Sequence, residues 1–290
     1  MQATQAIRHS VQCISPAGLH RMSYKEWGDA NNPNVLVCVH GITRVGDDFD
    51  FLAQQLATRY RVICPDVVGR GHSDFLTKPE YYQIPQYVSD MVSLIARLGV
   101  EKVTWLGTSM GGLIGMALAS LPQTPIAKLI INDVGPNLNY DALMRICEYL
   151  GEDKLWDDFA SAKAYIRQVS QPFGEHTDEQ WDKLARDVLR QNAQLKWRKH
   201  YDVRLAQVVK ATTPEIAKLS ETMLWAAYDA ITCPTLLVRG ELSDLLSVDT
   251  AQQMTQRGPR AELIQISNVG HAPMFQCQEQ VDLLLNFLDN

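Results

Sequence analysis

The sequence predicts an α/β fold built on a mostly parallel, doubly wound sheet. Short apolar runs such as Val35–Val39 alternate along the chain with longer segments whose apolar residues recur at helical spacing. Continuous apolar runs are typical of strands that are covered on both faces. Strands that alternate with helices predict a parallel sheet between helical layers. With 290 residues, the chain is long enough for one large domain or for one domain with an inserted part.

The first part of the chain follows this alternation. Pro85–Leu98 is the clearest helix, because Val88, Met91 and Ile95 recur at helical spacing and Gly99 ends the pattern. A second helix is predicted at Asp47–Ala57, and a third follows the strand that begins at Val103. The predicted strands in this part are Val11–Ser15, His20–Trp27, Val35–Val39, Arg61–Asp66, Val103–Leu106 and Ala127–Asp133.

The strand rhythm stops after Asp133 and resumes about a hundred residues later. The block between contains four predicted helices: Tyr140–Leu150, Ala160–Val169, Asp178–Gln194 and Ser220–Ala230. Alternation then resumes with Thr235–Arg239, Asp249–Gln256, Ala261–Ile266 and Gln278–Leu288. We therefore predict a core of residues 1–136 and 232–290 and a helical cap of residues 137–231. The alternative is a set of extra helices packed on one face of the sheet.

Composition and charge argue against several classes of function. The net charge of −6, without a basic stripe, argues against nucleic acid as a partner. The six cysteines are scattered without a Cys-x-x-Cys pair, so neither a zinc site nor a disulfide framework is predicted. The stretch Met1 to Arg8 lacks the apolar core of a signal peptide, and no apolar run reaches the roughly 18 residues of a membrane span. We expect a soluble, cytoplasmic protein without a membrane span.

Ser109 is the predicted nucleophile. It lies in Gly107-Thr108-Ser109-Met110-Gly111, between an apolar strand and a segment of small, helix-favouring residues. A serine in such a strand-to-helix turn is held in a strained backbone conformation that exposes its hydroxyl above the sheet. The two glycines fit this turn, because a side chain at either position would strike the neighbouring strand or helix.

Asp244 and His271 complete a predicted catalytic triad. Each follows a predicted strand, and the order Ser, Asp, His is the one that this serine motif requires. His271 would take the serine proton and return it to the leaving group, while Asp244 would orient the imidazole and stabilise its cation. Two other acids remain possible partners for the histidine: Asp133, at the end of the strand before the cap, and Glu241, in the same loop as Asp244.

The negative oxygen of a tetrahedral intermediate needs fixed hydrogen-bond donors. We predict that the backbone N–H groups of Ile42 and Met110 supply them. Met110 begins the helix after Ser109, where the helix dipole adds a favourable partial charge. Ile42 follows the His40-Gly41 turn, and His40 is interpreted as the residue that orients this loop. A catalytic role for His40 is the alternative.

The cap stretch from Lys196 to Asp202 is the predicted place for substrate contacts, because it combines cations, aromatic rings and an acid between helices. An amphipathic helix end is the alternative interpretation of this stretch. The predicted pocket residues are His40, Trp197, His200 and Tyr201.

Taken together, these motifs resemble the α/β-hydrolase family. They comprise the His40-Gly41 turn, the segment from Asp66 to Asp74, the serine motif, the segment from Gly240 to Asp244, and Gly270-His271-Ala272-Pro273. The resemblance implies an eight-stranded, mostly parallel sheet with a helical lid and a serine mechanism that needs no cofactor and no metal. Within the family, the chain looks most like bacterial carboxylesterases related to meta-cleavage-product hydrolases.

Two departures favour an ester over the ring-fission dienoates of those C–C hydrolases. Their oxyanion loop usually contains Pro-Gly, where this chain has Gly41-Ile42-Thr43-Arg44, and a tryptophan usually follows the catalytic histidine, where this chain has Ala272. The leading hypothesis is thus a serine carboxylesterase for small to medium esters, acting as a monomer or homodimer. The alternatives are a C–C hydrolase of meta-cleavage products and a non-catalytic ligand receptor on a hydrolase scaffold.

Overall fold

In a computed structural model, which describes residues 5–289, eight strands form one main sheet. Residues 1–4, part of the N-terminal stretch considered above, lie outside the described residues. The strands β7 and β8 form a separate two-stranded hairpin. The strands are β1 (Ile7–Ser15), β2 (Gly18–Trp27), β3 (Val35–Val39), β4 (Arg61–Pro65), β5 (Val103–Thr108), β6 (Ile126–Asn132), β7 (Leu189–Gln191), β8 (Trp197–Lys199), β9 (Thr235–Gly240) and β10 (Glu262–Ile266).

The main sheet has the strand order β1-β2-β4-β3-β5-β6-β9-β10. The strand β2 is antiparallel to β1 and β4, and all the other neighbouring pairs are parallel. The predicted eight-stranded, mostly parallel sheet is therefore confirmed. Because the carboxyl ends of parallel strands meet at one edge, the loops after β3, β5, β6, β9 and β10 lie close together.

The predicted helices are found in place, with changes at their ends, and one short helix, Leu205–Lys210, was not predicted. The predicted helix at Asp47–Ala57 divides into a 3₁₀ turn and α1, and the predicted helix at Ser220 begins earlier, as α8. The α-helices are α1 (Asp50–Leu56), α2 (Ile84–Leu98), α3 (Met110–Ala119), α4 (Tyr140–Leu150), α5 (Phe159–Val169), α6 (Asp178–Val188), α7 (Leu205–Lys210), α8 (Pro214–Asp229), α9 (Val248–Met254) and α10 (Gln278–Asp289), and the 3₁₀ turns are Gly46–Phe49, Pro79–Tyr81 and Gln171–Phe173. Within residues 5–289, no helix is both long and apolar enough to cross a membrane.

Two hydrophobic cores cover the two faces of the sheet. In β3, Val37 packs into one core and Cys38 into the other, as the alternation of side chains along a strand requires. The first core includes buried side chains of α2 and α3, and the second includes those of α1 and α10. This layering explains why β3 is apolar and buried at every position rather than at every second one.

The chain between β6 and β9, called here the inserted segment (residues 133–234), contains α4 to α8 and the β7–β8 hairpin. Although far apart in sequence, β6 and β9 are neighbours in the sheet. The hairpin was not expected, because a helix was predicted to continue to Gln194. Leu189, Arg190 and Gln191 all favour helices on their own, but pairing with Trp197–Lys199 draws them into a strand.

Candidate active site

Ser109 lies in a sharp turn between β5 and α3. Its backbone has φ 53° and ψ −115°, a strained conformation for a residue with a side chain. A Cβ atom at Gly107 would lie 2.1 Å from the carbonyl oxygen of Gly111, and one at Gly111 would lie 2.1 Å from that of Val39. The sequence therefore folds here only because both positions lack a side chain, which leaves Ser109 at the edge where the strand loops meet.

A chain of hydrogen bonds joins three side chains from three loops. The Nε2 atom of His271 lies 2.9 Å from the Oγ of Ser109, and its Nδ1 lies 2.8 Å from the Oδ2 of Asp133. Ser109 follows β5, Asp133 follows β6 and His271 follows β10. The sheet thus brings together residues that are far apart in sequence, in the relative positions of a nucleophile, a base and an acid.

Asp133 is fully buried and held by several donors. The backbone N–H of Gly240 donates to its Oδ1 at 2.9 Å, and the hydroxyl of Ser243 donates to its Oδ2 at 2.7 Å. Together with His271, these donors use both carboxylate oxygens. Because Gly240 and Ser243 belong to the end of β9 and the loop after it, that loop positions the acid without supplying it.

The structure contradicts the pairing of Asp244 with His271. Asp244 forms an ion pair with Arg145 of α4, and its side chain is partly exposed. Burial raises the pKa of Asp244, but the hydrogen bond and the charge of Arg145, together with smaller contributions, lower it by more, so that the pKa lies below its usual value. The neighbouring Ser243 turns inward to Asp133, while Asp244 turns away. Glu241, the other acid of this loop, accepts a hydrogen bond from the backbone N–H of Asn268.

The predicted oxyanion donors lie beside Ser109. Met110 is the first residue of α3, so its N–H is one of the four that have no acceptor within a helix. A Cβ atom at Gly41 would lie 3.6 Å from the Cβ of Ser109, which brings the loop with Ile42 against the serine. Ile42 and Ser109 line the same pocket. The positions of Ile42 and Met110 are compatible with the predicted role of their N–H groups as oxyanion donors, which stays a prediction.

His40 orients the loop between β3 and α1. The Nδ1–H of its buried ring donates to the carbonyl oxygen of Gly41 at 2.7 Å, and its Nε2 accepts a hydrogen bond from the N–H of Val67 at 2.9 Å. Burial lowers the pKa of His40 to about 3, so the ring is neutral. With both ring nitrogens engaged by the backbone, His40 lines the pocket but offers no free base to a substrate.

The pocket above Ser109 is bounded by the strand loops below and by the inserted segment above. The loop at His40, the serine and His271 form one side, while α4, α5 and the end of the hairpin form the other. Of the residues predicted for the inserted segment, Tyr201 lines this pocket, whereas Trp197 and His200 do not. Lys199, which was not among the predicted pocket residues, lines it as well.

Alternation along an extended chain explains this outcome. Lys199 and Tyr201 lie on the same side, and His200 points the other way, against His72 at 5.2 Å between ring centroids. Trp197 lies further along the hairpin and packs on Phe159. The alternation Lys-His-Tyr is the signal in the sequence that places Lys199 and Tyr201 on one side. It can be used only if the stretch is taken as extended and not as a helix end.

One group of potential metal ligands occurs among the described residues. Atoms of Cys13, His20 and Asp90 lie within 4.8 Å of one another, buried where β1, β2 and α2 meet. The Nε2 of His20 lies 3.0 Å from the Oδ2 of Asp90, which pairs the buried carboxylate within the protein. None of the three lines the pocket of Ser109.

Comparison with known proteins decides the family. Residues 34–276, most of the chain, match the family model of the alpha/beta hydrolase fold. The chain belongs to the α/β-hydrolase family. Its sequence is 51% identical over 280 residues to a 3-hydroxybutyrate-oligomer hydrolase of Cupriavidus necator, covering 96% of each chain.

Two solved structures show the same arrangement over nearly the whole length of this α/β-hydrolase. A protein from Rickettsia typhi superposes with a TM-score of 0.87 at 31% identity, covering 98% of this chain and 99% of that one. An alpha/beta hydrolase from Novosphingobium aromaticivorans gives a TM-score of 0.85 at 33% identity, with the same coverage. The prediction of a hydrolytic enzyme of this family is thereby confirmed.

Proposed function

We propose that this α/β-hydrolase cleaves oligomers of 3-hydroxybutyrate through a Ser-His-Asp acyl-enzyme mechanism. The observation that carries the mechanism is the continuous hydrogen-bonded chain from Ser109 through His271 to Asp133. The relative from C. necator, which shares half of its residues with this chain and covers almost all of it, supports the substrate class.

In the acylation step, the Nε2 of His271 takes the proton of Ser109 as the Oγ attacks the ester carbonyl carbon. Asp133 holds the imidazole so that Nε2 faces the serine, and it stabilises the cation that forms. The N–H groups of Ile42 and Met110 stabilise the oxyanion. The intermediate then breaks its bond to the alcohol oxygen, which leaves with the proton from His271, and Ser109 remains acylated.

In the deacylation step, His271 takes a proton from a water molecule that attacks the acyl carbon. The bond to Ser109 breaks, and the serine oxygen regains the proton from the histidine. The net reaction consumes one water and yields an acid and an alcohol. For a 3-hydroxybutyrate oligomer, both products are shorter 3-hydroxy acids, because the alcohol that leaves also carries a carboxylate.

We further propose that residues 137–231 act as the cap over this site and select the substrate. Supporting this, the face of the pocket opposite Ser109 consists of side chains from this segment, among them Arg145, Tyr165 and Tyr201. The combination of aromatic and cationic groups suits a substrate with a short aliphatic repeat and an anionic end.

The replacement Ser109→Ala tests the mechanism. We expect the rate of 3-hydroxybutyrate release from the 3-hydroxybutyrate trimer to fall by about 10⁴-fold or more, because no other group replaces the nucleophile. A matched control is Ser120→Ala at the far end of α3, where the hydroxyl donates only to the carbonyl oxygen of Ala117. Circular dichroism would show that both variants keep the fold.

Three results would contradict the proposal. Turnover of the trimer by Ser109→Ala at the wild-type rate would exclude the acyl-enzyme mechanism. Turnover of a ring-fission dienoate by the wild-type enzyme well above that of any ester would instead favour the C–C hydrolase. Failure of a fluorophosphonate probe to label Ser109 would point to a non-catalytic receptor.

A further inference from the structure

Lys199 places a buried ammonium group in the pocket of Ser109. The residue ends β8, is 3% exposed, and lines the same pocket as the serine. Its Nζ donates to the backbone carbonyl oxygen of Tyr149 and lies 5.4 Å and 5.5 Å from the ring centroids of Tyr165 and Tyr201. No carboxylate among residues 5–289 lies within 4.0 Å of this ammonium.

The other cations of the pocket lining differ from Lys199 because each already has an anionic partner. Arg44 forms a buried ion pair with Asp48, and Arg145 forms an ion pair with Asp244 that is exposed. Within the described part of the chain, Lys199 is thus the one lysine or arginine of this lining without a carboxylate partner. A buried charge without a counterion is costly, and a protein keeps one where a ligand supplies the opposite charge.

We propose that Lys199 binds the free carboxylate of the substrate and so selects acids over neutral esters. This inference rests on the proposed function, since a 3-hydroxybutyrate oligomer carries one carboxylate, at the end opposite its free hydroxyl. One ammonium N–H already reaches Tyr149, which leaves donors for the carboxylate oxygens. The faces of Tyr165 and Tyr201 hold the ammonium in place through cation–π contacts.

A fixed anchor has a consequence for the products. Because Lys199 and Ser109 belong to one pocket, the distance between them sets how many units separate the cleaved ester from the carboxyl end. A tetramer isotopically labelled at its carboxyl end should therefore release labelled product of one length in the first turnover, as measured by mass spectrometry. A mixture of labelled monomer, dimer and trimer would contradict a fixed anchor.

The protonation state of Lys199 adds a pH dependence. Burial lowers its pKa to about 8, while Glu152 and Asp153 oppose this effect and Lys154 adds to it. The remaining titratable groups that face the ammonium are phenols whose pKa values are raised, chiefly by burial, and which are neutral near pH 8: Tyr149, Tyr165 and Tyr201. The preference for acids should therefore weaken between pH 7 and pH 9 as the ammonium loses its proton.

The decisive experiment compares the 3-hydroxybutyrate trimer with its methyl ester, which differ only in the terminal charge. We expect the wild-type enzyme to favour the free acid in kcat/KM, mainly through KM. In Lys199→Met the preference should fall by about 10- to 100-fold, the effect of losing one charge-assisted hydrogen bond. The matched control is Lys196→Met on the same hairpin, where the lysine side chain is partly exposed and pairs with Asp157.

Two further measurements keep the inference separate from the proposed function. The Ser109→Ala protein should bind the free-acid trimer in calorimetry, and adding Lys199→Met should weaken that binding by a similar factor. If the wild-type enzyme hydrolyses both trimers equally and Lys199→Met changes neither rate, the proposed role of Lys199 is wrong, while the proposed esterase activity is not contradicted. If the wild-type enzyme hydrolyses neither trimer and Ser109→Ala binds neither, the proposed substrate itself is wrong.

Discussion

Asp133 shows how one buried side chain determines the geometry of the whole site. Its two oxygens receive hydrogen bonds from the end of β9, from the loop after it and from His271, so it connects the carboxyl ends of three different strands. Asp244 lies nearby but is engaged by Arg145. The two acids therefore differ in the group that each one faces, which a pair of replacements can distinguish.

We predict that Asp133→Asn lowers kcat by about 10³- to 10⁴-fold, because an amide cannot stabilise the imidazolium and favours the wrong tautomer. Asp244→Asn is the matched control, since it also removes one negative charge, from the loop after β9 instead of the loop after β6. It should keep kcat on the trimer within a few-fold of the wild-type value.

Steady-state kinetics on the trimer with both variants measures this difference. The reverse result, with Asp244→Asn inactive and Asp133→Asn active, would mean that Asp244, in the loop after β9, is the acid that acts on His271. Unfolding in urea would show whether either variant has lost stability as well.

Two members of the site were predictable because their signals are local. Ser109 lies between glycines in a strand-to-helix turn, and His271 lies in the loop that follows the last predicted strand. The choice between Asp133 and Asp244 was not predictable, because β6 and β9 are neighbours and both acids follow their carboxyl ends. Only the direction in which each side chain leaves its loop decides between them.

At the level of elements, the β5–α3 turn depends on how closely α3 approaches β3. The position that a Cβ atom would take at Gly111 lies 2.1 Å from the backbone oxygen of Val39, which belongs to a buried strand. Because that atom cannot move without displacing the sheet, the helix and the strand must separate if this glycine acquires a side chain.

We predict that Gly111→Ala lowers the free energy of unfolding by at least about 3 kcal/mol and removes activity, because α3 must shift and Ser109 moves with it. Gly99→Ala is the control: Gly99 has φ 71° at the end of α2, but open space surrounds its Cβ position. There we expect a loss of about 1 kcal/mol and normal kcat.

Chemical unfolding curves and kinetics on the trimer measure both effects. Equal stability of the two variants would mean that the contact with β3 does not limit the packing of α3.

The β7–β8 hairpin is the element that local sequence could not reveal. Its first strand continues directly from α6 with residues that favour helices. Only pairing with residues 197–199 makes it extended, and that pairing places Lys199 and Tyr201 in the pocket. Among the residues predicted in this stretch, Tyr201 lines the pocket and Trp197 and His200 do not, while a role of the stretch in substrate contacts stays a prediction.

For the whole molecule, buried histidines couple stability to pH. The pKa of His40 is lowered to about 3 and that of His200 to about 4, in both cases chiefly by burial. A histidine in the unfolded chain has a pKa near 6.5. As the pH falls below about 6.5, the unfolded chain therefore binds protons that the folded protein does not, and stability decreases.

We predict that His40→Gln removes part of this dependence. Between pH 7 and pH 5, the free energy of unfolding should fall by about 2 kcal/mol less in the variant than in the wild-type protein. The reason is that glutamine does not bind a proton in the unfolded chain, whereas His40 does. Urea unfolding at the two pH values measures the difference, and parallel curves for the two proteins would contradict it. The variant should also lose about 1–3 kcal/mol at pH 7, since a glutamine cannot replace both backbone hydrogen bonds.

The overall architecture was predictable from the alternation of strands and helices, whereas the strand order was not. The sequence indicates that β3 and β4 are buried strands, but not that β3 lies between β4 and β5. That order depends on contacts between segments far apart in the chain, which no local pattern records.

The neighbouring positions of β6 and β9 also bear on how such an enzyme changes over evolution. The inserted segment leaves the sheet and rejoins it at adjacent strands, a spacing of about 4.8 Å. Its two ends therefore fit the sheet whatever the length of chain between them. The part of this segment beyond Asp133 can therefore change in length or be replaced without moving the strand ends that hold Ser109, Asp133 and His271.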